Sequence, residues 1–520
     1  MTLAQPARRY RHRGILLAVV AAGLAVRAWL AFVVYPGQGF AGDLGDFFSW
    51  AQGMGQRGPA HFYAGDATAN YPPVYPLVLW ALYGLSRSVG ALLGIAPAQA
   101  LLWLLKLPAI LADAVVALLV YRLAGRWFGG WAGVFGAALY LAVPVTWYDS
   151  AVWGQVDAVL AAAALGAVVC LVERRDVAAA SLAALAVLVK PQGLICLVVV
   201  VPVLVRRHMI EQMRGPDGIR RLVIAAAAAG LCISLAVPFD LDRFAPRLQS
   251  VPVLGDLAGL VGLSRSTAET FPVLTANAYN VWALGGPVPL VRSIGTGRAQ
   301  WWPDSMPLVA GVSAAVVGAV LLLAIVAAVV GGLLRRDGDL PIVLGFSVVA
   351  VAFFAVPTRV HERYLFTAFA STAVLAAGGL TKAASYLGAG LLNTVNLHAI
   401  LAGPLWMGVT GSMTPGRATP GSPGASSAGP RLDSFGSGPG PPGPGLGTPA
   451  RGITGPRPTG ISLPLVDLAR SPIVATIVVV GHTLMLAVLL AAWCLLVLRQ
   501  SKHPTGPDLG RFHASVPGSG

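Results

Sequence analysis

Charge is what this sequence has least of. Of its 520 residues 11% are charged and 56% hydrophobic, with a mean hydropathy of +0.73. Soluble domains carry roughly 25% charged residues, so there is too little charge here to coat the several domains that the length alone suggests. Cysteine is scarce as well. Cys170, Cys196, Cys232 and Cys494 all lie inside apolar runs, where they behave as small hydrophobes, and their spacing suggests neither a metal site nor a redox pair. No repeat at a fixed period is present. These absences exclude a soluble enzyme, a fibrous protein and a disulfide scaffold, and a polytopic membrane protein remains.

What charge there is leans to one sign, at +15 net. Only four of the 36 basic residues are Lys, and the Arg residues sit in short clusters between apolar runs. That is the placement of topology signals rather than of a nucleic-acid footprint, so no nucleic-acid partner is expected. Residues 1–13, with Arg8, Arg9, Arg11 and Arg13, read as a cytoplasmic basic N-terminus. The apolar stretch from Gly14 to about Tyr35 is longer than the core of a signal peptide and long enough to span hydrocarbon, so it reads as a retained first helix.

Further apolar segments follow at about 73–86, 89–105, 107–124, 131–149, 156–173, 177–205, 219–239, 307–333, 340–357, 362–380, 383–403 and 472–498. Basic clusters fall at Arg122 and Arg126, Arg174 and Arg175, Arg206 to Arg221, Arg335 and Arg336, with Lys382, Arg499 and Lys502. For all of these to share the cytoplasmic side, Pro72 to Ala124 must cross an odd number of times. The 177–205 run, broken by Lys190-Pro191-Gln192, must likewise cross twice or re-enter. The count is 12–14 crossings, an all-α membrane bundle. Two stretches are not membrane: residues 240–305, a mixed loop or cap, and a Gly/Pro/Ser-rich stretch (404–465, richest at 411–460) that reads as a disordered linker before the last helix at 472–498 and a cytoplasmic tail at 499–520.

With that topology the turns that face out hold the polar groups. The first outer loop, 36–72, carries Asp43 and Asp46, three apart and so on one face of a short helix, then His61 and Asn70-Tyr71-Pro72-Pro73. At a membrane surface such a pair holds a metal or supplies a general base; the plainer reading is a solvated loop with an aromatic belt. The next turn, Pro144 to Asp157, contains Trp153-Gly154-Gln155, and Asp157 opens an otherwise apolar helix. There it either faces a cavity or merely complements the helix dipole. Lys190 is a lone cation in an apolar run; snorkelling is its ordinary role, but Pro191 and Gln192 argue for a break lining a wet site. Asn277-Ala278-Tyr279-Asn280 is a weak signal, because loop amides commonly satisfy backbone. Arg359, His361, Glu362 and Arg363 place four ionisable groups at the mouth of two helices, and Arg and His suit a phosphate.

Taken in order, Asp43 with Phe47 and Trp50, Tyr71-Pro72-Pro73, Lys106-Leu107-Pro108 with Asp113, Trp153-Gly154-Gln155 with Asp157, Lys190-Pro191-Gln192, Asn277-Ala278-Tyr279-Asn280 and His361-Glu362-Arg363-Tyr364 resemble bacterial integral-membrane glycosyltransferases of the GT-C class. Within that class the series resembles mannosyltransferases related to the second mannosyltransferase of GPI-anchor synthesis. More distantly the series is similar to dolichyl-phosphate-glucose glucosyltransferases. The resemblance covers about residues 14–400. It implies a GT-C-like catalytic domain over 14–403 that moves a hexose, mannose favoured, from a polyprenyl-phosphate sugar to a glycan or lipid acceptor with inversion, at the outer face of the bacterial cytoplasmic membrane. By the same resemblance Asp43 is the general base. Lys190, Arg359, His361 and Arg363 are then expected to hold the donor phosphate and leaving group. Asp46, Tyr71, Trp153, Gln155, Asp157, Gln192, Asn277, Asn280 and Glu362 would bind sugar or acceptor. No metal cofactor is expected, although Asp43-Leu44-Gly45-Asp46 departs from a strict Asp-x-Asp and leaves the role of Asp46 open. A transporter or flippase for lipid-linked saccharides is the alternative; it would place charges at the midplane and show paired repeats.

Overall fold

The computed structural model describes residues 5–65, 68–211, 216–245, 254–402, 406–409 and 458–501. Among the described residues seven helices are long and apolar enough to cross a membrane: His12–Val34, Val74–Leu93, Pro97–Phe128, Pro191–Ile210, Asp217–Ala236, Ala314–Arg335 and Pro472–Leu498. Gly130–Ala142 and Pro144–Trp153, bent by 53°, together make an eighth stretch of that kind, and four shorter apolar helices, Asp157–Val172, Asp176–Val189, Asp339–Ala355 and Phe366–Ala376, stand beside these among the described residues. The chain is therefore a multi-pass helical membrane protein. The stretch read as three segments from 73 to 124 forms two helical stretches, because Leu105 and Lys106 make only a turn between Pro97–Leu104 and Leu107–Phe128. A Cβ on Gly37 would stand 3.4 Å from Gln99, and Lys106 donates to the Tyr35 carbonyl at 3.3 Å, so Pro97–Leu104 stays at the first-loop end and Leu107–Phe128 makes the crossing.

Length and position go together. The shorter helices are apolar all round and sit inside: every residue of Phe366–Ala376 except Leu375 is buried, as is nearly all of Asp157–Val172. A helix without a polar face is stable only when other helices surround it. Among the long helices, Ala314–Arg335 and Pro472–Leu498 lie outside and show exposed apolar side chains, such as Val316, Val320 and Leu323 on the first and Ile473, Leu484 and Val488 on the second. A surface of that kind suits lipid tails.

The interior also holds charge, and it is paired. Arg27, in the first helix, donates through Nε to Asp113 Oδ2 at 2.6 Å and through Nη2 to Thr146 at 2.9 Å; Tyr140 and Ser150 donate to the same carboxylate at 2.8 and 2.6 Å. Arg27 and Asp113 are fully buried. Removing one partner of such a pair costs about 3–5 kcal/mol, so this network fastens the first helix to Leu107–Phe128 and to the bent span.

At one end of the bundle the basic clusters meet. Arg207 pairs with Asp337 (2.6 Å) and Asp176 (2.5 Å), His208 with Asp176 (2.8 Å), Arg126 with Asp339 (3.2 Å), Arg174 with Asp337 and Arg122 with Glu173. The Arg207–Asp176 contact decides how the 177–205 run is traversed. Asp176–Val189 rises from this end, Lys190 takes an extended backbone, Pro191–Gly193 forms a 3-10 turn and Leu194–Val205 returns. The run is a hairpin whose tip, Lys190, lies at the opposite end of the bundle.

At that opposite end the cap segment docks on the first loop. Thr267 donates to the Asn70 carbonyl at 3.1 Å and Arg243 to that of Tyr63. Trp406–Val409 pairs in parallel with Arg298–Trp301, and Gly39 donates to the Thr459 carbonyl at 3.2 Å. Both margins of the Gly/Pro/Ser-rich stretch are thus tied down by backbone hydrogen bonds. Residues 410–457, the body of the expected linker, lie outside the described residues.

Candidate functional site

The first loop forms a helix, Ala41–Arg57, because Leu44, Phe47, Phe48, Ala51 and Met54 recur at helical spacing and bury one face. Asp43 lies in its first turn, where the dipole favours a carboxylate. Tyr148–Trp153 is a π-helical turn ended by Gly154 at φ +89°, and it aims the Trp153 indole at this helix. Trp153 Nε1 donates to Asp43 Oδ2 at 2.7 Å, Phe40 stacks on Trp153 at 4.7 Å, and the Phe40 amide donates to the Trp153 carbonyl at 3.0 Å. The approach is so close that a Cβ on Gly39 would stand 2.4 Å from that carbonyl oxygen.

Asp157 begins its helix one turn beyond, and the Lys190 ammonium reaches its Oδ1 at 2.5 Å and Gln155 Oε1 at 3.4 Å. Both ions are almost wholly buried. Tyr71 donates to Gln155 Oε1 at 3.3 Å, and Lys190 stands 5.5 Å from the centre of the Tyr71 ring, within cation–π range. The Lys190 break thus lines a polar site, and Asp157 faces a partner.

Arg363 joins these groups. Its Nη1 donates to Glu362 Oε1 at 2.9 Å, its Nη2 is 3.6 Å from Asp43 Oδ1, its Nε is 4.0 Å from Asp157 Oδ2, and its guanidinium lies 5.8 Å from the Trp153 ring centre. His361 Nδ1 is 3.9 Å from Glu362 Oε2, with the ring edge-on to Phe271. Burial pushes the Glu362 carboxyl up to about 7 against the pull of Arg363. Burial, with Arg363 and Lys190 nearby, holds His361 well below the ordinary imidazole range. Burial likewise raises the Tyr71 phenol, which therefore stays protonated.

Ten expected residues thus converge: Asp43, Tyr71, Trp153, Gln155, Asp157, Lys190, His361, Glu362 and Arg363, with Gln192 on the turn beside Lys190. Gln192 Oε1, Gln155 Nε2, Asp157 Oδ2 and Glu362 Oε2 are buried atoms without a hydrogen-bond partner among the described residues, and groups of this kind are what a polar ligand satisfies.

Four expected residues are not among these ten. Arg359 does not join the cluster, because its guanidinium is forked onto Asp304 at 2.6 and 3.3 Å and onto the Ala268 carbonyl. Asn277 accepts the Trp301 indole N–H at 3.0 Å in a left-handed turn (φ +70°), and Asn280 caps Val281–Leu284 while donating to the Phe354 carbonyl at 3.1 Å. These amides shape backbone. Asp46 lies one turn along the Asp43 helix, and its backbone carbonyl accepts Ser49.

Three supporting residues were not foreseen. Asn393 and Asn396 donate to the carbonyls of Glu362 (3.2 Å) and Asn277 (2.9 Å), and His482 Nδ1 donates to that of Tyr279 (2.9 Å). Two Asn three apart and a lone His in apolar helices were the available signals.

No family model matches the chain, and no curated protein does. Among solved structures, the archaeal oligosaccharyltransferase AglB from Archaeoglobus fulgidus, in complex with an inhibitory peptide and a dolichol-phosphate, aligns at TM-score 0.40 and 13% identity over 75% of this chain and 51% of its own. The apo form of the Archaeoglobus fulgidus oligosaccharyltransferase aligns at 0.38 and 14%, over 74% and 51%. ArnT from Cupriavidus metallidurans, bound to undecaprenyl phosphate, aligns at 0.29 and 16%, over 74% and 79%. This chain spans about half the length of the oligosaccharyltransferase. At such scores the site has to be read from its own residues.

Proposed function

We propose that this chain is a membrane glycosyltransferase with a GT-C-like fold, moving a hexose, mannose favoured, from a polyprenyl-phosphate sugar to a glycan or lipid hydroxyl on the outer face of a bacterial cytoplasmic membrane. One observation carries the reading. A carboxylate at the head of a loop helix, Asp43, shares a cluster with two buried cations, Lys190 and Arg363, and with the rings of Trp153 and Tyr71. Base, phosphate-seeking cations and sugar-stacking surfaces are the parts that this transfer requires.

The step runs as one displacement. The acceptor O–H bond breaks and its proton passes to Asp43. The oxygen forms a bond to the anomeric carbon from the face opposite the phosphate, and the anomeric carbon–oxygen bond to phosphate breaks with its electron pair leaving on polyprenyl phosphate. Attack from the opposite face inverts the centre. Arg363 and Lys190 stabilise the charge that grows on the departing phosphate, with His361 beside them as a neutral donor. Asp157, held by Lys190, and Gln155 and Gln192 offer acceptors and donors to sugar hydroxyls. A divalent metal has no part in the proposal.

The test is transfer itself. Membranes containing the protein are incubated with labelled polyprenyl-phosphate mannose or glucose, and the label is followed from lipid to product. Label that never leaves the lipid faster with the wild type than with Asp43→Asn, for either sugar, would overturn the reading.

A further inference from the structure

The Arg363 guanidinium is surrounded by carboxylates but bonded to little. Of its five N–H groups one makes a hydrogen bond of ordinary length, to Glu362. Asp43 at 3.6 Å and Asp157 at 4.0 Å are within ion-pair range yet beyond hydrogen-bond range, and Nε has no hydrogen-bond partner among the described residues. The side chain is 12% exposed. A planar fork so loosely held gains most by turning to an anion that can accept two parallel hydrogen bonds, which a phosphate can.

Asp43 is its counterpart. Oδ2 already accepts the Trp153 indole at 2.7 Å, so Oδ1 is the oxygen that remains for an acceptor's proton. That is the oxygen Arg363 faces. The guanidinium stands where an acceptor hydroxyl would have to approach that oxygen. The same arginine thus serves the phosphate and restrains the base, and it cannot do both fully at once.

Resting on the glycosyltransferase reading above, we infer that Arg363 exchanges partners during the reaction: a lipid phosphate draws it away from Asp43, and Asp43 becomes a competent base only when the donor is in place. The exchange orders the substrates, donor before acceptor. It also keeps the carboxylate from activating water or a stray hydroxyl when no phosphate is present. Glu362 stays on Nη1 as the pivot, itself fixed by Asn393 at its carbonyl.

The exchange predicts a coupling that simple repulsion does not. If Asp43 competes with phosphate for Arg363, Asp43→Asn tightens phosphate binding through Arg363 and the gain vanishes when Arg363 is gone. If Asp43 merely repels phosphate through space, the gain persists. Labelled polyprenyl phosphate is therefore titrated onto the full chain in lipid nanodiscs for wild type, Asp43→Asn, Arg363→Gln and the double variant. Inorganic phosphate is titrated in parallel to read the headgroup without its tail. The expected result is that Asp43→Asn tightens lipid-phosphate binding about tenfold in the wild-type background and less than twofold with Arg363→Gln. Transfer by the same Asp43→Asn protein is lost, so binding and rate move in opposite directions. Should the Gln variant not fold, Arg363→Met is the second neutral background; Arg363→Lys, which keeps the charge, preserves the coupling. Equal tightening in both backgrounds overturns the exchange and leaves the functional reading intact. Failure of the wild type to bind polyprenyl phosphate, or binding of inorganic phosphate alone, overturns both.

Discussion

At the scale of single residues the reading turns on Asp43. Asp43→Asn keeps the size of the side chain and the Trp153 hydrogen bond but cannot take a proton, so transfer should fall about 10²–10⁴-fold while the protein elutes and melts as the wild type does. Retention of more than about a tenth of the rate would place the base elsewhere, with Asp46 next to be tried. Gly39→Ala tests placement rather than chemistry. A Cβ 2.4 Å from the Trp153 carbonyl must push the first loop off its seat, and a displacement of about an ångström can cost about 10²-fold in rate; the assay is transfer at matched protein levels. Glu362 makes a prediction about pH. Its carboxyl titrates near 7 in the folded chain against 4.5 for an ordinary glutamate. Between those values the folded chain keeps a proton that the unfolded one loses, so this group's stabilisation is complete below about pH 4.5 and fades as pH rises through 7. Glu362→Gln should abolish that decline in melting temperature. Most of these residues were legible in the sequence, because a charge or amide in apolar surroundings is conspicuous. The pairing of Arg359 was not legible, because its partner, Asp304, lies 55 positions away in a loop, and no local pattern reveals such a pairing.

At the scale of elements, the sequence announced its membrane helices by composition and hid their depth. Asp157–Val172 and Ala314–Arg335 are alike in apolar content, yet one is enclosed and the other faces outward; only packing separates them. The break at Lys190 was legible from Pro191, and the pairing of Asp176 with Arg207 turns it into the tip of a hairpin. The fastening of the first helix was not legible, since Arg27 stands 86 positions from Asp113. Arg27→Ala should destabilise the protein by about 3–5 kcal/mol by leaving a buried carboxylate unpaired, measured as loss of folded protein in a denaturant series. Arg27→Ala together with Asp113→Ala should recover part of that loss.

At the scale of the whole molecule, the basic clusters share one end and the polar cluster the other, as the alternation of Arg-rich and polar turns requires. In a background without the native cysteines, a cysteine at Gln56 should react with an impermeant reagent from outside and one at Arg174 only after the membrane is opened. The reverse pattern would invert the topology. Residues 411–457 should be replaceable by a short Gly-Ser linker with transfer nearly unchanged, because their composition cannot bury enough apolar area to fold alone. A large loss with normal expression would show that they act. The residues just after them should not be expendable: Thr459 meets Gly39, Pro464 accepts His398 at 2.7 Å, and Arg470 donates to the Ala399 carbonyl at 2.7 Å.

The hydrogen bond from His482 to the Tyr279 carbonyl joins positions 203 apart, and this separation is also an interval in time. A ribosome adding about 5–20 residues each second delivers that histidine some ten to forty seconds after the turn it braces. Throughout that interval the turn bearing Asn277 and Asn280 must wait with a buried carbonyl unanswered, and every earlier helix can insert without completing the pocket. A chain interrupted before the helix that carries His482 should therefore be inserted with this turn unbraced, and a ready client for membrane proteolysis.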